Sequence, residues 1–152
     1  MARAGFTAIG AGQISFGKDG RWYCDGEPIA NRAICRLYAR AMTVGPDGSA
    51  RLELGPDRAS VRVEDTPWVV VGVQGDPAHG FTVRLNDERK AALDLDTLEV
   101  GAEHVLYCRV DGQRLRFLRP AYYELMQHAE PGPAGGCRLR AGGRQVLLGR
   151  GR

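Results

Sequence analysis

The chain has 152 residues, 43% apolar and 26% charged, which suits one compact domain or two small lobes sharing a core. No apolar run approaches the roughly 20 residues needed to span a bilayer, so membrane insertion is not expected. The net charge of +3 rests almost wholly on arginine, with 19 Arg against Lys18 and Lys90. That bias reads either as the mark of a GC-rich genome or as anion binding through the bidentate guanidinium fork.

Residues 1–12 are small and rich in glycine and alanine, and are expected to be flexible. They lack the apolar stretch of a secretory signal, so a cytoplasmic protein is expected. Ile14-Ser15-Phe16 and Arg21-Trp22-Tyr23-Cys24 flank Lys18-Asp19-Gly20, and Asp25-Gly26 makes a second turn. Asp-Gly between short strands predicts a hairpin, because Gly supplies the positive φ without strain. Asn31 is a plausible N-cap. From there Ala30, Ala33, Ile34, Leu37, Tyr38 and Ala41 recur at three- and four-residue spacing and predict an amphipathic helix ended by Gly45-Pro46. Arg32, Arg36 and Arg40 fall on its other face, as a solvated stripe or an anion-binding ridge.

Residues 51–54 and 59–63 alternate with period two and predict half-buried strands around Gly55-Pro56. Trp68-Val69-Val70-Val71-Gly72-Val73 predicts a central strand covered on both faces. The stretch 74–80 carries the turn residues of a lobe boundary, giving an N-terminal lobe over 13–75 and a C-terminal lobe over 76–150. Residues 81–85 and 91–95 predict a hairpin around Asn86-Asp87, and residues 105–110 and 114–118 another around Asp111-Gly112. Pro120 sits well in a helix first turn, and Tyr122, Leu125, Met126 and Ala129 mark that helix's buried face. Tyr122 and Tyr123 cannot both face inward, being about 100° apart. A last hairpin is predicted across Gly142-Gly143.

Gly45-Pro46-Asp47-Gly48-Ser49-Ala50-Arg51-Leu52 recurs 87 residues later as Gly132-Pro133-Ala134-Gly135-Gly136-Cys137-Arg138-Leu139. An Asp-Gly hairpin and then a short helix precede each copy. The fold class expected is therefore α+β, with two related lobes from an internal duplication, each of antiparallel strands plus one helix, and a ligand cleft where they meet.

No catalytic signature can be read, so an enzyme is not expected. His79, His104 and His128 are scattered, the four cysteines form no Cys-x-x-Cys pair, and no metal or cofactor is called for. Glu64 and Asp65 are adjacent, and neighbours on a strand point to opposite faces, which argues against a shared acid–base site. The arginine tail from Pro131 to Arg152 contains no aromatic residue on which a base could stack, which weakens a nucleic-acid reading.

Trp22, Gly26, Pro28-Ile29, the Leu37 helix, Val61-Arg62-Val63-Glu64-Asp65-Thr66-Pro67-Trp68 and Arg119-Pro120-Ala121-Tyr122-Tyr123-Glu124-Leu125 occur in an order that resembles the bacterial family known as domain of unknown function 1285. The resemblance runs from about Ile14 to Leu148. It implies two lobes built from a repeated motif, a C-terminal lobe similar to a pleckstrin-homology barrel, a nucleotide-like ligand at the lobe interface and a signalling role. Duplication, arginine bias and resemblance together nominate Arg58, Glu64, Asp65, Arg119 and Tyr123 to line that cleft. Arginine would hold phosphate, the ring would stack a base, and a carboxylate would accept from ribose hydroxyls. The alternative is a protein–protein interaction module without a small-molecule ligand, in which a strand edge accepts a partner.

Overall fold

The computed structural model describes residues 12–149. The flexible segment expected at the N-terminus lies, but for Gly12, outside them. The chain divides into two compact units, one ending at Pro67 and the other beginning at Trp68. The boundary expected near residue 75 falls instead inside a hairpin of the second unit. There Gly75 comes so close to Gly80 that a Cβ on it would lie 2.2 Å from the Gly80 carbonyl oxygen. Glycine at 75 and 80 thus serves a tight strand return and not a linker.

In the first unit, β1 (Ile14–Phe16), β2 (Trp22–Cys24) and β3 (Glu27–Pro28) form a meander. Helix α1 (Arg32–Ala41) leads to a second meander of β4 (Met42–Val44), β5 (Ala50–Leu54) and β6 (Asp57–Val63). The sheet order is β3-β2-β1-β6-β5-β4. Five strand pairs could all have been antiparallel, but β1 and β6 run parallel, with Ile14 beside Val61. Ile14, Phe16 and Leu52 are buried, and Trp22 stacks between Phe16 and Tyr38 at ring separations of 4.8 and 5.5 Å. Asn31 caps α1 as expected, its Oδ1 accepting the Ile34 N–H at 3.1 Å. The buried stripe of α1 is rotated from the predicted one. Tyr38 and Ala39 face inward because Tyr38 packs edge-on against Trp22, and Leu37 is left 41% exposed. The helix also ends earlier than Gly45, since Met42 already takes an extended conformation and starts β4.

In the second unit, β7 (Val69–Asp76), β8 (Gly80–Leu85) and β9 (Lys90–Ala92) form the first meander, and β10 (Glu99–Val100), β11 (Leu106–Val110) and β12 (Gln113–Phe117) the second. The sheet order is β10-β11-β12-β7-β8-β9, with β12 and β7 parallel and Val70 beside Phe117. The two six-stranded sheets therefore share one topology, strand for strand. The apolar run Trp68–Val73 becomes an interior strand, as predicted. Helix α2 (Arg119–Met126) packs on β7 through buried Ala121 and Leu125, and Glu124 Oε1 accepts the Val73 N–H at 2.8 Å beside a bulge in β7. After α2, β13 (Glu130–Pro131), β14 (Cys137–Ala141) and β15 (Arg144–Leu148) form a separate three-stranded sheet.

The duplication is confirmed and is finer than the sequence copy. Strands β4–β6, β10–β12 and β13–β15 are three copies of one meander. Their registers coincide without a gap: Arg51 opposes Ser60, Tyr107 opposes Arg116 and Arg138 opposes Leu147. Leu52, Cys108 and Leu139 are the equivalent, fully buried inward residues. Each first loop opens on a glycine whose N–H donates to the carbonyl four residues on, from Gly45 to Ser49, Gly101 to Val105 and Gly132 to Gly136, at 2.7–2.9 Å. The 87-residue copy read from sequence pairs the two meanders that follow a helix. The sheet position of β4–β6 is taken in the second unit by β10–β12, which no α-helix precedes.

Candidate functional site

The C-terminal unit contains a cavity of about 220 Å³. Val100, His104 and Leu106 of the β10–β11 loop and strand contribute one wall, Tyr122 and Met126 of α2 a second, and Gly135 to Cys137 with Leu148 and Gly149 a third. Two copies of the meander's first loop thus contribute to its lining, through His104 in one and Gly135 and Gly136 in the other. Tyr122 and Met126 are four residues apart and so share a face of α2. Among the described residues no carboxylate lines the cavity. Burial pushes the Cys137 thiol up, so this wall presents a protonated thiol and not a nucleophilic thiolate.

The loops themselves are strained. Glu103 and His104 both take positive φ, 58° and 62°, and their equivalents Ala134 and Gly135 take 57° and 79°. Glycine at 101 is required by a close approach: a Cβ there would lie 2.8 Å from the Tyr107 ring, which stacks under the Arg114 guanidinium at 3.6 Å. Arg114 also donates to Glu99 Oε1 at 2.9 Å, which fixes the stem of the loop.

The five residues nominated from sequence do not form one cluster. Arg58 is exposed at the start of β6, 4.0 Å from Glu53. Glu64 follows the other end of that strand, six residues on, or about 20 Å of extended chain. Its Oε1 accepts the Lys18 N–H at 2.8 Å and its own N–H donates to Phe16, so it closes the β1–β2 loop. Asp65 is half-buried beside it. Arg119 and Tyr123 do share a face of α2, as residues four apart must, and both are exposed. Tyr122 is half-buried and Tyr123 is 58% exposed with its ring edge-on to Tyr122 at 5.6 Å, which is the split that helix geometry requires. Arg119 also lies on the Tyr122–Met126 stripe, one turn toward the helix N-terminus.

Sequence reading missed His104, Met126 and Cys137 as cavity residues. The signal that could have found them is the 31-residue repeat of Glu99–Phe117 onto Glu130–Leu148. Only Glu, two Gly and one Arg are identical across it, which is too faint to see without the registers. Among the described residues no group of three or more His, Cys, Asp or Glu side chains could hold a metal ion, and no helix is long and apolar enough to cross a membrane.

No protein-family model and no curated protein matches the chain. Two crystal structures are similar to it. A DUF1285 family protein from Silicibacter pomeroyi DSS-3 matches with a TM-score of 0.69 at 20% identity, over 91% of this chain and 79% of that one. A DUF1285 family protein from Shewanella baltica OS155 matches with a TM-score of 0.60 at 17% identity, over 78% of this chain and 93% of that one. The chain thus shares its fold with two proteins of the DUF1285 family.

Proposed function

We propose that this chain is a non-enzymatic binding module whose ligand, a small nucleotide-like anion, places its ring in the cavity of the C-terminal unit. The carrying observation is the lining: apolar walls from Leu106, Met126 and Leu148, polar groups from His104 and Tyr122, and, among the described residues, no carboxylate to repel an anion. Cavities of this kind, mostly apolar with a few convergent polar groups, are the common form of small-molecule sites. At about 220 Å³ the space matches roughly seven waters and suits one ring, not a whole dinucleotide. Arg119, exposed one turn above Tyr122 on the same stripe, would meet the charged end of a ligand that projects from the cavity.

The test is a thermal-shift titration with nucleoside monophosphates. A ligand at a hundredfold excess over its dissociation constant stabilises the folded state by about 2.7 kcal/mol. A rise in Tm that shrinks in both Tyr122→Ala and Arg119→Ala is expected. A flat response at millimolar ligand would refute the reading and make a protein partner the better one.

A further inference from the structure

We infer that His104 is the specificity-determining residue of this cavity, and that the group it recognises is an anionic oxygen group, carboxylate or phosphate, on the ligand. The inference rests on the cavity being the ligand site. Its independent support is the chain's own repeat. Gly48, His104 and Gly135 are the same position in the three meanders, with φ of 86°, 62° and 79°. Glycine reaches such angles freely, whereas a side chain there is strained. Histidine is among the side chains found in this region, but at a cost that its surroundings must offset.

The loop's backbone hydrogen bonds would form equally with glycine at 104, and the histidine side chain adds no polar bond among the described residues. The imidazole has no hydrogen bond and no ion pair among the described residues, and the residue is exposed. The other two histidines are accounted for: the His79 ring lies 3.0 Å from Asp76, and His128 packs against Phe81 at 5.2 Å. Among the three histidines, His104 combines a left-handed backbone with no polar partner among the described residues, and it does so on the lining of a cavity. An imidazole supplies an N–H donor in either tautomer. Tyr122 supplies a hydroxyl, and among the described residues no acidic side chain lines the cavity to compete.

The experiment uses isotope-labelled protein and three probes built on one phenyl ring: benzoate, its neutral isostere benzamide, and phenyl phosphate. Amide shifts of Leu106, Tyr122, Met126, Gly135 and Gly136 report occupancy. Benzoate or phenyl phosphate should bind at least tenfold more tightly than benzamide, and whichever binds better identifies the anion class. His104→Ala and His104→Gly should both abolish that preference. Only the glycine variant should also raise Tm, by about 2–4 °C, because only glycine relieves the strain. If all three probes bind and His104→Ala keeps the preference, the assignment of His104 is overturned while the cavity reading stands. If the three bind equally in the parent protein, the anion class is overturned. If none shifts these amides, both the cavity reading and the inference fall.

Discussion

Replacing Ala134 by glycine should stabilise the protein, although glycine is ordinarily a destabilising choice. Ala134 sits at φ 57°, ψ 30° in the first loop of the third meander, in the left-handed region. That conformation costs an L-residue about 1–2 kcal/mol. Glycine removes the penalty but loses more backbone freedom on folding, at a cost of about 0.4–1 kcal/mol. Ala134 is exposed, so truncating its methyl group sacrifices no packing. The net expectation is a gain of about 0.5–1 kcal/mol, read in urea as a higher midpoint with an unchanged m-value. Gly135→Ala, one residue on at φ 79°, is the mirror experiment and should lower the midpoint. If Ala134→Gly lowered the midpoint, the loop would not be strained as described. His104, held in the equivalent loop at a similar angle, would then carry no strain either.

Two further measurements probe the frame around the site. Glu124→Ala should cost about 1–3 kcal/mol, the penalty for stranding a buried donor, because it leaves the N–H of buried Val73 without its 2.8 Å acceptor. Glu124→Gln keeps an acceptor and should recover most of that loss in chemical denaturation; equal losses for the two variants would mean that the bond contributes nothing. Cys108 is fully buried, and burial pushes its thiol up to about 12. A thiol reagent at pH 8 should therefore modify half-buried Cys24, Cys35 and Cys137 in the native protein and reach Cys108 only at the rate of unfolding. Four equivalents modified at one native rate would contradict that placement.

The elements were legible where local chemistry decides them. Asp-Gly marks the β2–β3 and β11–β12 turns, where Asp25 and Asp111 take φ of 53° and 51° and the following glycines complete the turn. Asn31 marks the start of α1 and Pro120 the start of α2. What depends on distant partners was not legible. The rotation of α1 follows from Trp22 receiving Tyr38, and no periodicity within the helix encodes that. The parallel pairing of β1 with β6 joins residues 47 apart, from Ile14 to Val61, and neither strand announces a parallel neighbour. Glu64 looked like a site residue as one of two adjacent carboxylates in the Val61–Trp68 stretch, yet it accepts a backbone N–H from Lys18.

The repeat also bears on the site proposed in the C-terminal unit. A repeated meander fixes most of its positions by packing: the inward Leu52, Cys108 and Leu139 and the loop-opening glycines keep their roles in all three copies. Positions outside that requirement are free to diverge, and divergence there costs little unless the backbone is strained. Residue 104 is the exception, since the backbone still demands the angle that its two sister positions give to glycine. A residue that departs from the repeat at an energetic cost, and faces a cavity instead of a partner, is better explained by selection for binding than by selection for folding. The same logic gives no such role to Leu147, which stands where the sister meanders have Ser60 and Arg116. It is 51% exposed on an ordinary strand, where the change carries no backbone penalty. Departure from the repeat therefore points to function only where it is paid for in strain, and among the equivalent first-loop residues His104 meets that condition together with a place on the cavity wall.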